Sequence, residues 1–407
     1  MSAQLHSNLE WAWEDSTVAF GRAAARRKGS MDTNIRGKVA IVGIGHTAQG
    51  ELPGQSPELN SVLAIKEAMK DAGIDRSALD GLITCKSVQG TNTDCQVGPL
   101  LGINPRYAQT LDYGTCNFSI HLAVQAIATG MADTVALCYG ANARTMKFPF
   151  GFSAPNLAGV SGLMHVGGPA ALALQRYKSL YGMTDEEFGW IAVGAREWAR
   201  RNPIALFRDP MSMADYLAMD YLIEPLRRPD LTMVSDGGVS LILTSAERAA
   251  DFPNKPVYIL GMSEASQIRG EFTPSYLDRE FLGLASRQIW NSTGLTQSDI
   301  DLLYIQDPTA FWVLQMIEHF GFAPLGEGGK WLAEGHTLPG GSLPLNTNGG
   351  QLSECYMWGW MHIVEAVRQL RGVAGAERQV PGVEIAMYLS TQTWFKGGAS
   401  IISTHKG

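Results

Sequence analysis

Apolar and polar positions along the chain repeat one order: buried strand, glycine, amphipathic helix, glycine. Lys38-Val-Ala-Ile-Val-Gly43 is a short apolar run closed by glycine, the pattern of a strand buried on both faces. Ser56-Pro57-Glu58 predicts a helix start, with a capping hydroxyl, proline in the first turn and an early acid. Apolar positions at Ala64, Ala68 and Met69 carry that helix to Ala72-Gly73, and a strand ending at Ile83 follows. The order then returns. Pro256-Val-Tyr-Ile-Leu-Gly261 answers Lys38 to Gly43, and Ala285 to Tyr304 answers Ala64 to Ile83, with Gly294 in place of Gly73 and Asp301 in place of Asp80. A third strand, Ala132 to Gly140, is answered by Gly382 to Leu389. Each follows an apolar helix that ends in glycine, at Gly130 and at Gly372.

The chain therefore reads as a duplicated α/β unit. Residues 38–150 are expected to form the first half. Residues 236–407 are expected to supply a strand returning to that half and then the second half. Between them, residues 151–235 read as an inserted lid or loop region, in which Thr184 and Glu187 form a capping box ahead of Phe188, Ile191, Ala195 and Trp198. Residues 1–37 read as an upstream extension or expression remnant, because their acids and the lack of an apolar core segment fit neither a transit nor a secretory peptide.

Composition narrows the class. Apolar residues make up 45% and charged residues 17%, with 45 glycines, which is the profile of a folded chain with much buried surface. The net charge of −7 disfavours nucleic acid, whose phosphates need clustered cations. No uninterrupted apolar run reaches the roughly 18 residues of a membrane span. Five cysteines, at 85, 95, 116, 138 and 355, show neither a CxxC pair nor zinc-ligand spacing. No metal site is expected, and the odd scattered count fits a reducing, cytoplasmic setting.

Candidate chemistry sits at two equivalent junctions. Asp112-Tyr113-Gly114-Thr115-Cys116-Asn117 leads into the helix ending at Gly130. Asn346-Thr-Asn348-Gly349-Gly350-Gln351-Leu352-Ser353-Glu354-Cys355-Tyr356 leads into the helix ending at Gly372. Tyr113 and Tyr356 stand at nearly the same distance before those glycines. A pseudo-twofold fold would bring both helix starts to its centre, where free N–H groups favour an oxyanion, an enolate or an activated nucleophile.

These blocks, with Ser235-Asp-Gly-Gly238 and Gly341-Ser-Leu-Pro-Leu-Asn346, resemble the thiolase superfamily over residues 38–405, and within it the thiolase-like lipid-transfer proteins related to sterol-carrier-protein thiolase. The resemblance implies a duplicated five-layer αβαβα fold, acyl-CoA substrates with coenzyme A entering only as part of the substrate and no tightly bound cofactor, and a homodimer. The thiolase nucleophile position carries Tyr113, the Gly-His-Pro histidine falls on Tyr356, the Asn-Glu-Ala-Phe block falls on Gln306-Asp307-Pro308-Thr309, and no thiol stands at 390–392. Ser353-Glu-Cys-Tyr356-Met-Trp-Gly359 looks instead like the Ser-x-x-Tyr-x-x-Gly segment of side-chain-cleaving aldolases, which pair with a small OB-fold protein carrying a zinc ribbon.

By that resemblance Tyr356 is an acid/base group and Asp307 an orienting group. Tyr113 is expected to shape the oxyanion site, with Gly114, Gly349, Gly350, Gln306, Cys355 and His165 lining the pocket. The expected reaction is retro-aldol cleavage of a β-hydroxyacyl-CoA. Two alternatives are a thiolase or acyltransferase using Cys116, and a non-catalytic acyl-lipid carrier. His121 reads as a satisfied core residue and His319 as a helix-end cation.

Overall fold

The computed structural model describes residues 35–112, 116–148, 167–267, 280–392 and 396–407. The first half runs β1 (Val39–His46), α1 (Pro57–Ala72), β2 (Gly81–Cys85), α2 (Asp94–Leu101), β3 (Tyr107–Leu111), α3 (Cys116–Ala128) and β4 (Thr134–Asn142). Helices α4 (Gly167–Tyr181), α5 (Asp185–Ala199) and α6 (Met213–Ala218) and the hairpin β5 (Tyr221–Ile223) and β6 (Leu226–Arg227) follow, then β7 (Asp236–Ser245). The second half holds β8 (Val257–Ser266), α7 (Glu280–Thr293), β9 (Leu302–Ile305), α8 (Ala310–His319), α9 (Gly328–Ala333), α10 (Gly350–Ser353), α11 (Trp360–Arg371), β10 (Ile385–Gln392) and β11 (Lys396–Ser403).

The strands lie in the order β3-β2-β4-β7-β1-β8-β11-β10-β9. Outward from the centre, β1-β7-β4-β2 is mirrored by β8-β11-β10-β9, so the repeat seen in the sequence is a repeat of sheet topology. Among the described residues the two half-sheets are joined where β1 meets β8, through Ala40 opposite Tyr258 and Ile41 opposite Val257. Helices α3 and α11 each pack on strands of both half-sheets, α1 and α2 cover the first, and α7 lies on the second with α8 against it. The result is the expected five layers, helix–sheet–helix–sheet–helix.

The middle helices are buried nearly all round, as a layer between two sheets requires. Outer helix α1 begins where the sequence placed it, with Ser56 Oγ accepting from Leu59 N–H, and ends at Gly73 in the left-handed conformation (φ +67°). It lies so close to β1 that a Cβ at Gly45 would come within 2.3 Å of Ala64 O.

The outer edge of β9 is closed by the segment around Pro344 and Asn346. Leu303 N–H donates to Pro344 O, and Asn346 N–H donates back to Leu303 O. The Asn346 side chain then pairs with both backbone groups of Ile305, accepting from its N–H (2.8 Å) and donating to its C=O (2.9 Å). A side-chain amide thus replaces one residue of a strand and pins the start of the loop 346–356.

Candidate active site

From Asn346 onward the loop is fixed by contacts residue after residue. Thr347 Oγ1 meets Tyr304 Oη at 2.8 Å and Glu365 Oε1 at 3.2 Å. Gly349 (φ +99°) lets the backbone pass Ala199 at the end of α5, where a Cβ would approach within 2.6 Å. At Gly350 (φ +64°) a Cβ would stand 2.1 Å from Asp307 Oδ2. Both glycines are therefore required by close backbone approach. Asp307 is wholly buried, and its carboxyl accepts from Gln351 N–H (2.8 Å) and Leu352 N–H (3.3 Å), the first amides of α10. Its third partner is His362 Nε2 on α11, at 3.0 Å.

The sequence led us to expect this loop to run straight into the helix ending at Gly372. The structure differs: α10 is a single turn, and Trp358 (φ +47°) and Gly359 (φ +80°) break the chain before α11 starts at Trp360. Two consecutive left-handed residues cannot continue a right-handed helix. Tyr356 stands in this break, half-buried, its N–H donating to Ser235 Oγ (3.0 Å). Its ring lies 6.3 Å from that of Trp358. Trp358 meets Tyr139 edge-on at 5.8 Å, and Tyr139 stacks on Trp360 at 6.4 Å. This aromatic row ties the break to β4.

On the other side, Gln306 Oε1 accepts from Thr391 N–H on β10 (3.1 Å), and Tyr388 of the same strand presents its hydroxyl to Gly359. The Tyr388 ring lies 5.8 Å from the ring of His362. Burial pushes the Tyr388 phenol well above its usual range, and neighbouring Cys116 and Asp307 act in the same direction. Tyr139 is raised likewise, by burial first and then by Tyr356 and Cys85. Several buried polar atoms here have no partner among the described residues: Tyr139 Oη, Tyr388 Oη, His362 Nδ1, Trp360 Nε1 and both polar atoms of the Gln351 amide. Unpaired buried donors and acceptors are costly in a folded chain, so a polar partner placed among these atoms would be favoured.

The expected thiols are here too, but in unreactive settings. Cys116 is fully buried at the first turn of α3, and burial pushes its thiol well up. Cys355 is 1% exposed and raised by burial, then by Glu354 and Asp307. A nucleophilic cysteine requires the opposite shift. Tyr113, Gly114 and His165 lie outside the described residues. His121 is a buried helix residue whose Nε2 meets Ala399 O at 3.2 Å, and His319 closes α8. Arg106 is engaged by Asp80 and Asp133, and Arg144 by Glu51.

Sequence reasoning brought Tyr356, Asp307, Gln306, Cys116 and Cys355 into one region but passed over His362, Tyr388 and Tyr139. A histidine within the apolar first turns of α11 (Trp360 to Val364) was the one available signal, and it gains meaning only from Asp307, far away in the chain. Among the described residues no cluster of His, Cys, Asp and Glu could hold a metal ion, and no helix is long and apolar enough to cross a membrane.

Residues 274–404 match the family described as thiolase C-terminal domain-like. The chain is 34% identical to the steroid side-chain-cleaving aldolase of Thermomonospora curvata, over 84% of this chain and 92% of that one. It is 33% identical to the 17-hydroxy-3-oxo-4-pregnene-20-carboxyl-CoA lyase of Mycobacterium tuberculosis, over 86% and 95%. Among solved structures, the Ltp2-ChsH2(DUF35) aldolase superposes with a TM-score of 0.82 at 31% identity, covering 91% of this chain and 98% of that one.

Proposed function

The chain belongs to the thiolase superfamily, in the branch of the side-chain-cleaving aldolases, and on that premise we propose that it cleaves a carbon–carbon bond in a β-hydroxyacyl-CoA by retro-aldol chemistry. A base removes the proton of the β-hydroxyl, and the Cβ–O bond becomes a carbonyl. The Cα–Cβ bonding pair moves onto the thioester to give an enolate, and an acid returns a proton to Cα. The products are a ketone or aldehyde and a shorter acyl-CoA. Tyr356 supplies one of the two proton transfers, and the starts of α3 and α11 favour the enolate oxygen through their free N–H groups.

One observation carries the choice of aldol chemistry over thiolysis. The two cysteines near the site are buried with raised thiols, whereas a half-buried tyrosine stands at the break before α11. Asp307 orients groups rather than reacting, since three donors already occupy its oxygens. The relatives' names supply the substrate class: a hydroxyl on C17 is β to a thioester carbonyl carried on C20, so a 17-hydroxysteroid 20-carboxyl-CoA is the first substrate to try.

The same reading includes a homodimer, supported by β3, a half-buried strand at the open edge of the sheet. It also includes a small OB-fold, zinc-ribbon partner; the solved aldolase that this chain resembles is itself paired with ChsH2(DUF35), which supports a second component. The test is product release from that thioester with the partner present. Tyr356→Phe lowers kcat about 10²–10⁴-fold, the range of a lost acid/base group. A variant that keeps wild-type turnover refutes the assignment.

A further inference from the structure

Retro-aldol cleavage needs a second proton-transfer group beside Tyr356. A phenol alone is a poor base near neutral pH, because its proton is held with a pKa near 10. The buried polar atoms beside Gly359 supply what is missing. Both Asp307 oxygens accept backbone N–H groups, and Oδ1 also meets His362 Nε2. An acceptor at that position assigns the imidazole proton to Nε2 and leaves the lone pair on Nδ1. That Nδ1 is buried with no partner among the described residues, and so is the hydroxyl of the neighbouring Tyr388 ring. Both residues are at most 1% exposed. Tyr388 Oη is also pressed against the backbone entering α11, since a Cβ on Gly359 would lie 2.2 Å from it.

We propose, resting on the retro-aldol reading, that Asp307, His362 and Tyr388 form the base of the reaction, with Tyr388 as the catalytic residue that meets the β-hydroxyl and the other two as positioning residues acting through it. His362 Nδ1 takes the phenolic proton through one water as the same phenol oxygen takes the proton of the β-hydroxyl, so the phenol relays a proton without a free phenolate forming in its buried setting. The Cα–Cβ bond then breaks toward the enolate. Tyr356 gives its proton to Cα, and the proton left on His362 returns to Tyr356 through solvent as the products leave. No oxidant, reductant or further reactant is needed. The titratable groups around the pair are Cys116 from α3, Tyr304 from β9 and Asp307 itself.

The two tyrosines can be separated by experiment. With the partner protein present, cleavage is followed as carbonyl product from the 17-hydroxysteroid 20-carboxyl-CoA. The Cα step is followed alone, as exchange of the α-protons of propionyl-CoA with D2O at alkaline pD, where solvent rather than His362 takes up the Tyr356 proton. Tyr388→Phe and His362→Gln, the latter keeping a donor toward Asp307, each lower kcat for cleavage about 10²–10⁴-fold, with KM within about threefold and exchange within about threefold of wild type. The double variant is no slower than the worse single one, because residues acting as one unit are not additive. Tyr356→Phe loses both cleavage and exchange. Cleavage within threefold of wild type in Tyr388→Phe or His362→Gln overturns the assignment, as does loss of exchange together with cleavage. If wild-type protein releases no carbonyl product at all, the retro-aldol reading falls, and this assignment falls with it.

Discussion

Glu354, two residues before Tyr356, is the most consequential buried charge in the loop. It is 1% exposed, and its carboxyl accepts from Asn202 Nδ2 at the end of α5 (2.8 Å) and from Asn348 Nδ2. Burial, followed by the charge of Glu365, pushes its pKa from the ordinary 4.5 to about 7, against the opposing pull of the two asparagines and Arg368. In the unfolded chain the carboxyl ionises near its ordinary value. Between pH 4.5 and 7 the native chain therefore holds a proton that the unfolded chain has lost. The stability tied to this proton is fully present below pH 4.5, is lost as pH rises to about 7, and stays lost above it. At about 1.4 kcal/mol per unit, the loss is roughly 3 kcal/mol. Glu354→Gln cannot ionise, and it keeps an acceptor for Asn202 while the Asn348 amide can turn to accept. Urea unfolding at a series of pH values should show the variant gaining about 3 kcal/mol on the wild type between pH 4 and pH 8. Asp230, also pushed up to about 7, titrates in both proteins and cancels in the difference. A gap that stays constant within about 0.5 kcal/mol, or narrows with rising pH, refutes the reasoning.

Two further expectations concern the break and the thiols. Gly359→Ala combines a left-handed φ with an overlap on Tyr388 Oη, a rigid neighbour, and should cost about 3 kcal/mol; calorimetry would show a melting temperature several degrees lower, and an unchanged one would mean that Tyr388 yields freely. Native protein treated with iodoacetamide should take one adduct, at exposed Cys95, and keep its turnover. Turnover lost in step with a second adduct, read by intact mass, would restore a cysteine pathway.

What the sequence discloses depends on how far apart the interacting residues lie. Ser56 with Gly73 and Thr184 with Glu187 satisfy their partners within one or two helical turns, so their spacing alone predicts the elements found. The duplication is legible for a related reason: each half repeats its own local order of apolar runs and glycines. Asn346 is different. The motif around it can be read, but its use as a substitute for strand backbone depends on Ile305, which only the folded sheet brings alongside. The pairing of Asp307 with His362 is hidden in the same way. The break at Trp358 is hidden for another reason, since a tryptophan in the left-handed region has no local sequence preference behind it; its aromatic contacts with Tyr139 and Tyr356 accompany the conformation.

The pairing of β4 with β7 sets Asn142 directly opposite Asp236. The chain between them thus departs from and rejoins the sheet at a single rung, with its two ends about 5 Å apart. Such an arrangement lets the excursion change in length without shifting the register of the rungs beneath. Within it, α5 presses on Gly349, Asn202 donates to Glu354 and to Asn348 O, and Ser235 accepts from Tyr356 N–H, so the excursion reaches the reacting centre through several contacts. Descendants of this scaffold could therefore change the shape of the molecule they cut by rewriting the outer part of this segment, provided that Asn202 and Ser235 stay to hold the loop that carries Tyr356.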